Sequence, residues 1–150
     1  MQSLTVDTPT GPVTLTENQG ALVAVTWGGQ AAQHSALLDR AAEELRGYFD
    51  DPERGFTVPL HVRGSEFLRA VCAAMRAIPV GETRTYGEIA RGLGAPAQAI
   101  GQACGANPIP IVIPCHRVLG ANGLGGFSGA GGVETKVALL RHERAAGLLI

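Results

Sequence analysis

A cysteine, a histidine and an arginine follow one another directly at Cys115, His116 and Arg117. The β-branched run 111–113 predicts a strand, and Pro114, which has no N–H and a fixed φ, is expected to end it. Cys115 is therefore expected just past a strand end, where a rigid element can hold a reactive group. A base and a permanent cation beside a cysteine both favour its thiolate. For the cysteine alone, the alternative is a small buried hydrophobe.

The electric charge of the chain is divided unevenly between its two parts. The whole sequence has a net charge of −1, but residues 1–60 carry three arginines and eight carboxylates, a net −5. Residues 61–150 carry nine cations and five carboxylates, a net +4, and they contain Cys115. This asymmetry indicates that the second part meets an anion, although chance scatter over a solvated surface would also produce it.

Length and composition indicate an ordinary globular protein. The 150 residues, 45% of them apolar, suit one domain or one domain with a small appendage. No apolar run is long enough to span a membrane, and no signal peptide is expected at the N-terminus. Three cysteines without a C-x-x-C motif argue against a disulfide framework, so a reducing, cytoplasmic location is expected. We expect no metal site and no cofactor.

The first sixty residues predict a small antiparallel meander followed by a helix. Alternating apolar residues separated by turn residues predict strands at 3–7, 13–17 and 21–27. Apolar residues at three- and four-residue spacing predict an amphipathic helix over 34–49. A further strand is possible at 56–60. Nothing in this part looks catalytic.

From Gly64 onward the pattern is helical. Ser65 is a good N-cap for a helix with an apolar stripe formed by Phe67, Val71, Met75 and Ile78. Thr85 caps a short helix over 86–93, and a glycine-containing turn leads to a second helix over 97–106, which is the outline of a helix-turn-helix. That second helix carries no charge and little bulk, so its backbone could approach another surface closely. A last helix is predicted over 133–145.

Several separate motifs carry a resemblance to one family. The run I-P-C-H-R-V, preceded by N-P-I-P and followed by G-G-F-S-G, resembles the O6-alkylguanine-DNA alkyltransferases, or methylated-DNA–protein-cysteine methyltransferases. The likeness runs from about residue 64 to 143. It implies an α/β (α+β) fold with a small sheet-plus-helix domain at 1–62. A mainly helical DNA-binding alkyltransferase domain would follow at 63–150, with the helix-turn-helix and the active-site strand.

The resemblance also implies a function. The protein would repair duplex DNA by moving an alkyl group once from O6 of a flipped-out guanine to Cys115. It would act as a monomer on double-stranded DNA, away from membranes. His116 would be the base, reached through a water, and Glu143 the carboxylate behind it.

The family's other site residues carry over onto matching positions. Tyr86 would donate to guanine N3, and Asn107 would tie the recognition helix to the active-site strand. The carbonyls of Cys115 and Val118, the N–H of Ser128, the wall residue Phe127 and Lys136 at the rim would complete the substrate pocket. The residues expected to contact DNA, mainly through the minor groove, are Arg84, Ala97, Gln98, Ala99, Gly101, Gln102 and Arg117.

Two positions depart from the family pattern. The family usually has an arginine where this chain has Gln98, which bears on base flipping, and often a tyrosine where it has Phe127. Two other functions stay open from the sequence: a DNA-binding module without chemistry, and a hydrolase using Cys115, His116 and Glu143. A metal site from Cys115, His116 and His142 is possible by ligand type, but its spacing matches no common zinc pattern.

Overall fold

The computed structural model describes residues 1–121, 123 and 132–145. Its first three strands are β1 (Gln2–Thr8), β2 (Gly11–Asn18) and β3 (Ala21–Trp27), which form an antiparallel sheet in that order. Leu4 pairs with Leu15, and Leu15 with Val25, so these side chains share one buried face of the sheet. The predicted meander is confirmed.

Helix α1 (Ala36–Asp50) covers the buried face of this sheet. Ser35 caps it by accepting a hydrogen bond from the Leu38 amide at 3.1 Å. Its buried side chains recur at three- and four-residue spacing, as the amphipathic pattern predicted, and they include Leu38, Ala41, Leu45 and Tyr48.

The possible strand at 56–60 is not formed. Only Leu60 makes a bridge, with Leu22 of β3. The amides of Thr57 and Val58 instead donate to the Glu44 carboxylate, at 2.9 and 3.1 Å, and Pro59 has no N–H to offer. The donors that a strand would use are therefore bound elsewhere or missing.

The second part begins with α2 (Glu66–Arg76), capped by Ser65 as predicted. Val71, Met75 and Ile78 of the predicted stripe are buried, but Phe67 is 38% exposed. Phe67 lies in the first turn of α2. The stripe therefore begins one turn later than the spacing predicted.

The helix-turn-helix is formed by α3 (Tyr86–Leu93) and α4 (Ala97–Gly105). Thr85 and Glu88 make a reciprocal capping box at the start of α3. Gly94 ends α3 in the left-handed conformation, with φ at 64°, which glycine adopts without a steric penalty. These local signals explain why the sequence predicted the bounds of α3 well.

The predicted active-site strand at 111–113 is a turn in the structure. Ile111 has a φ of +72°, outside the extended region, and the Ile113 amide donates back to the Ile109 carbonyl at 2.8 Å. Pro108 and Pro110 lack the donors that a strand ladder needs. The short strand β5 (Val118–Leu119) follows the cysteine instead, and pairs in parallel with β4 (Arg84–Thr85).

The last helix, α5 (Val133–His142), ends three residues earlier than predicted. One continuous cluster of buried side chains runs through both parts of the chain, from Leu15 in the sheet to Val71 in α2, Ile100 in α4 and Leu139 in α5. The domain boundary at 62/63 stays a prediction. Among the described residues, no helix is long and apolar enough to cross a membrane.

Candidate active site

Cys115 is presented by a tight reversal of the backbone. Pro114 has φ −81° and ψ 68°, and the Cys115 amide donates across it to the Ile113 carbonyl at 2.8 Å. This is the geometry of an inverse γ-turn. A 3₁₀ turn over Cys115–Arg117 follows at once. The sulfur is thus placed between two short turns rather than at a strand end.

Asn107, just after α4, is hydrogen-bonded to the segment that leads into this turn. Its side-chain amide donates to the Ile113 carbonyl at 2.9 Å, while its side-chain oxygen accepts from the Ile109 amide at 3.0 Å. Asn107 is itself buried, so both bonds are shielded from water. The role predicted for Asn107, to tie the recognition helix to the active-site segment, is consistent with this geometry, although that segment is a turn.

The Cys115 thiol lies in a mostly apolar environment. Only 6% of the residue is exposed, and burial raises the pKa of the thiol above its ordinary value. The Asn107 side chain and the positive charge of Lys136 act in the opposite direction but do not outweigh burial. The resting sulfur is therefore a thiol, and a nearby base is needed to make the thiolate.

His116 is the base closest in sequence, and it is completely buried. Burial lowers its pKa, although the hydrogen bond to Glu143 and that carboxylate's charge oppose the shift. Its Nε2 lies 2.6 Å from Oε2 of Glu143. An ionised carboxylate can only accept, so Nε2 carries the proton and Nδ1 has a free lone pair. Among the described residues, Nδ1 is the only buried side-chain nitrogen or oxygen without a hydrogen-bond partner.

Glu143 receives hydrogen bonds from three side chains. Besides His116, Arg117 donates from Nε to Oε1 at 2.7 Å and from Nη2 to Oε2 at 3.0 Å. The Tyr48 hydroxyl donates to Oε2 at 2.5 Å. Burial alone would raise the pKa of Glu143, but these hydrogen bonds and charges lower it to about 2. The carboxylate is therefore ionised throughout the neutral range.

Tyr48 is the site residue that the sequence analysis missed, since it lies in the part of the chain that looked free of catalytic groups. It is 95 positions away from its partner. A signal was present: Leu38, Ala41, Leu45 and Tyr48 follow one helical stripe. A tyrosine on a buried stripe requires a partner for its hydroxyl.

Arg117 does not take the position expected of a DNA contact. The residue is only 8% exposed, and its Nη1 donates to the Ile78 carbonyl at 2.7 Å while its other donors bind Glu143. With its guanidinium turned inward and paired, it is part of the interior. The buried, paired guanidinium does not support the prediction that Arg117 contacts DNA, which stays a prediction. The cation that acts on the Cys115 sulfur is Lys136 instead.

Lys136 was expected at the pocket rim, but it is fully buried. Its Nζ donates to the Val118 carbonyl at 2.7 Å and lies 6.0 Å from the centroid of the Tyr86 ring. Burial raises the pKa of Tyr86, and the neighbouring thiols Cys104 and Cys115 raise it further. The Tyr86 hydroxyl therefore stays protonated and can act as a donor.

The other two cysteines are buried behind the site. Cys104 contacts the sulfur of Met75 at 3.6 Å. Burial, followed by the proximity of Cys115, raises the pKa to about 12 for Cys104 and to about 11 for Cys72. Thiols with such pKa values are poor nucleophiles near neutral pH.

The α4 residues predicted to contact DNA lie at the surface. Ala97, Gln98 and Gln102 are exposed, and Ala99 and Gly101 are half-buried, while Ile100, Ala103 and Cys104 face the interior. Arg84 is half-buried and pairs with Glu82 at 3.1 Å. The predicted pocket residues Phe127 and Ser128 lie outside the described residues.

Comparison with known proteins identifies the family of this chain. The family model described as the DNA-binding domain of 6-O-methylguanine DNA methyltransferase matches residues 66–145. A methylated-DNA–protein-cysteine methyltransferase of Mycolicibacterium paratuberculosis is 44% identical, with 93% of this chain and 90% of that protein covered. The inducible enzyme of that name from Bacillus subtilis is 43% identical over 79% of this chain and 67% of its own.

Solved structures of related proteins have the same overall fold. The crystal structure of Mycobacterium tuberculosis OGT in complex with DNA superposes with a TM-score of 0.86 at 40% identity, covering 99% of this chain and 98% of that one. A second crystal structure, of M. tuberculosis O6-methylguanine methyltransferase, gives a TM-score of 0.83 at 39% identity over 95% and 92%. The chain therefore belongs to the methylated-DNA–protein-cysteine methyltransferase family.

Proposed function

We propose that this protein repairs alkylated duplex DNA by transferring the alkyl group from O6 of guanine to Sγ of Cys115. The observation that carries the proposal is the buried, hydrogen-bonded pair of His116 and Glu143 directly after the buried Cys115 in the chain. In it Glu143 holds the Nε2 proton of His116, so that Nδ1 is left as the proton acceptor. Nothing in this arrangement requires a cofactor.

The first chemical step is removal of the thiol proton. Since burial holds the pKa of Cys115 above its ordinary value, the proton must pass to a base that is itself stabilised once charged. His116 fills this role because the ionised Glu143 lies 2.6 Å from its Nε2 and stabilises the imidazolium. A water between Sγ and Nδ1, as in the family, would connect two side chains that diverge from adjacent residues.

In the second step the thiolate attacks the alkyl carbon. A carbon–sulfur bond forms as the carbon–O6 bond breaks, and the electron pair passes into the guanine ring. Tyr86, whose hydroxyl is protonated at the start, donates a proton to guanine N3 and so makes guanine a better leaving group. The proton that His116 took from the thiol then returns to the Tyr86 phenolate by way of water, so that one proton passes from sulfur to guanine overall. The thioether product is not hydrolysed by any group of the site, so each molecule acts once.

The guanine is held by groups around the turn. The carbonyls of Cys115 and Val118 would accept from its exocyclic amine. The family pattern assigns the N–H of Ser128 to O6 and Phe127 to the pocket wall, and both residues lie outside the described part of the chain. The Val118 carbonyl already accepts from Lys136, but a carbonyl oxygen has two lone pairs and can take both donors. Lys136 thereby fixes the orientation of that acceptor.

The DNA is bound through the exposed face of α4. Small side chains at 97, 99 and 101 allow the helix to enter a narrow minor groove without reading the sequence. The target base is flipped out of the stack, as chemistry on a base in duplex DNA requires. The three free cysteines favour a reducing compartment, and we place the protein in the cytoplasm.

The test is the intact mass of the protein after incubation with duplex DNA containing O6-methylguanine. We expect a gain of one methyl group per molecule, mapped by peptide analysis to Cys115. The Cys115→Ala variant should bind the DNA without gaining mass, while Cys104→Ala should still be methylated. No gain of mass, or a label on Cys72 or Cys104, would refute the proposal. Turnover of an ester substrate without a stable adduct would indicate a hydrolase instead.

A further inference from the structure

Glu143, the carboxylate bonded to His116, also accepts a hydrogen bond from a tyrosine in the N-terminal part of the chain. Tyr48 lies near the end of α1, and its hydroxyl donates to Oε2 of Glu143 at 2.5 Å. The same oxygen accepts from Nε2 of His116 at 2.6 Å. Tyr48 and His116, from distant parts of the sequence, therefore share this oxygen with Nη2 of Arg117, which donates to it at 3.0 Å.

The position of Tyr48 is fixed from several sides. His142, the neighbour of Glu143, has its Nε2 2.7 Å from the Tyr48 carbonyl, and its ring packs edge-on against the tyrosine ring at 5.2 Å. Phe49 and Phe56 lie at 5.0 and 5.7 Å from the same ring. Tyr48 is almost completely buried. Among the described residues, its hydroxyl therefore has one hydrogen-bond partner, Glu143, in a fixed place.

We infer that Tyr48 is a positioning residue that limits the strength of His116 as a base by sharing Oε2 of Glu143. A hydrogen bond to an oxygen withdraws electron density from it, so the carboxylate attracts the Nε2 proton of His116 less strongly than it would alone. This inference rests on the proposed function, because it concerns how readily His116 takes the thiol proton.

The other groups around His116 and Glu143 cannot adjust the basicity of His116 in the same way. Among the described residues, Tyr48, Arg117 and Lys136 are the other titratable or charged groups that act on His116 and Glu143. His142 contacts the Tyr48 carbonyl, and Cys115 precedes His116 in the chain. Arg117 donates to both oxygens, and Lys136 acts on His116 only through its charge. Behind Cys115 lie the thiols Cys72 and Cys104. Tyr48 can be altered by removing one neutral hydroxyl, which leaves every charge in place.

The test is Tyr48→Phe, which keeps the ring and removes only the donor. Rates of alkyl transfer to Cys115 from free O6-alkylguanine, measured across pH, should show an acid limb moved up by about half to one pH unit, because His116 becomes a stronger base. The plateau rate should rise by about three- to tenfold for the same reason. Affinity for undamaged duplex DNA should not change.

Phe56→Leu is the matched control, since it loosens the same aromatic cluster without removing a hydrogen bond. The acid and alkaline limbs of its pH–rate profile should lie at the same pH values as in the wild-type protein. If Tyr48→Phe keeps the wild-type profile, or if Phe56→Leu shifts it equally, the inference is overturned and Tyr48 has a packing role only. If wild-type protein transfers no alkyl group, the proposed function fails first, and the two failures are distinguishable.

A measurement on the unaltered protein covers the case in which Tyr48→Phe does not fold. The Tyr48 hydroxyl proton and the His116 Nε2 proton should both exchange slowly and give a cross-peak in proton NMR spectra. The hydroxyl resonance should also move as His116 titrates. A hydroxyl proton that exchanges rapidly, or a resonance that does not respond to that titration, would contradict the shared oxygen.

Discussion

Arg117 and Glu143 are joined by two hydrogen bonds in the interior, from Nε to Oε1 at 2.7 Å and from Nη2 to Oε2 at 3.0 Å. The guanidinium offers both donors from one rigid plane, which suits a carboxylate better than an ammonium would. Glu143 therefore has two tasks, because it anchors a buried cation and orients His116. The carboxylate that orients His116 is held by the same bonds that join the end of α5 to the turn after Cys115.

Removing the cation should destabilise the fold strongly. Arg117→Met leaves Glu143 buried without its counterion, and we expect the free energy of unfolding to fall by about 3–5 kcal/mol. Arg84→Met is the matched control, because its pair with Glu82 lies at the surface, where the side chains are 38% and 54% exposed. That change should cost less than about 1 kcal/mol. Urea denaturation measures both, and equal losses would show that the buried pair has no special weight.

The ionised Glu143 should also make stability depend on pH. Burial acts to raise its pKa, but its hydrogen bonds lower it to about 2 in the folded protein, from an ordinary value of 4.5. Because the folded pKa is depressed, this stability is fully present above about pH 4.5 and is lost as the pH falls to about 2.

Urea denaturation at a series of pH values checks this dependence. We expect Glu143→Gln to lose the part of the slope between pH 4.5 and pH 2, since glutamine does not titrate. Glu82→Gln, at the surface, should keep the wild-type slope. A Glu143→Gln variant with an unchanged slope would mean that other carboxylates cause the acid sensitivity.

The substitution Gly101→Ala should change the stability of the fold and the affinity for DNA in opposite directions. A glycine inside a helix costs about 1 kcal/mol relative to alanine, yet a Cβ at Gly101 would meet no described atom within 4 Å. Gly101→Ala should therefore raise the thermal midpoint while weakening binding to duplex DNA, because the added methyl group would separate α4 from the groove. Gly92 of α3 is equally open, so Gly92→Ala should stabilise the protein to a similar extent and leave binding intact. If Gly101→Ala binds DNA as tightly as the wild-type protein, α4 does not approach the groove closely at this residue.

The sequence predicted best where local chemistry decides the structure. The capping box of Thr85 and Glu88 and the left-handed Gly94 are determined by neighbouring residues, so the helix-turn-helix could be predicted with accurate bounds. The N-terminal meander follows from simple alternation. The adjacency of His116 to Cys115 indicated a base in the sequence itself. The likeness to a family supplied Glu143 as the carboxylate behind that base, which spacing alone does not reveal.

Prediction from the sequence was poor where contacts between residues far apart in the chain determine the structure. A β-branched run at 111–113 suggests a strand, but prolines on either side and the Asn107 side chain make it a turn. An arginine beside the nucleophile suggests contact with DNA, but Glu143, from the far end of the chain, draws Arg117 inward. The contact of Tyr48 with Glu143 spans 95 positions and leaves no local signal beyond a polar group on a buried stripe.

Gln98 is the position at which this chain departs from the family pattern within the recognition helix. It is the second residue of α4 and is exposed, so its side chain is available to a bound duplex. An arginine there would fill the gap left by the flipped base, donate to the orphaned partner base and add charge near phosphate. Glutamine is shorter and neutral and offers fewer donors. We therefore expect the flipped state to be less stabilised here, by about 1 kcal/mol, typical of one hydrogen bond.

Gln98→Arg should accordingly speed repair of O6-methylguanine in duplex DNA severalfold. Reaction with free O6-alkylguanine should hardly change, because the free base needs no flipping. Second-order rate constants for both substrates, measured at one salt concentration, decide the matter, since an added charge alone makes binding depend on salt. Gln102→Arg is the matched control, because it adds the same charge to an exposed position of α4 about one turn further along the helix. If it accelerates duplex repair equally, the gain comes from phosphate attraction rather than from filling the stack. If neither rate responds to Gln98→Arg, the side chain does not reach the flipped-out position, and α4 meets the DNA in another orientation.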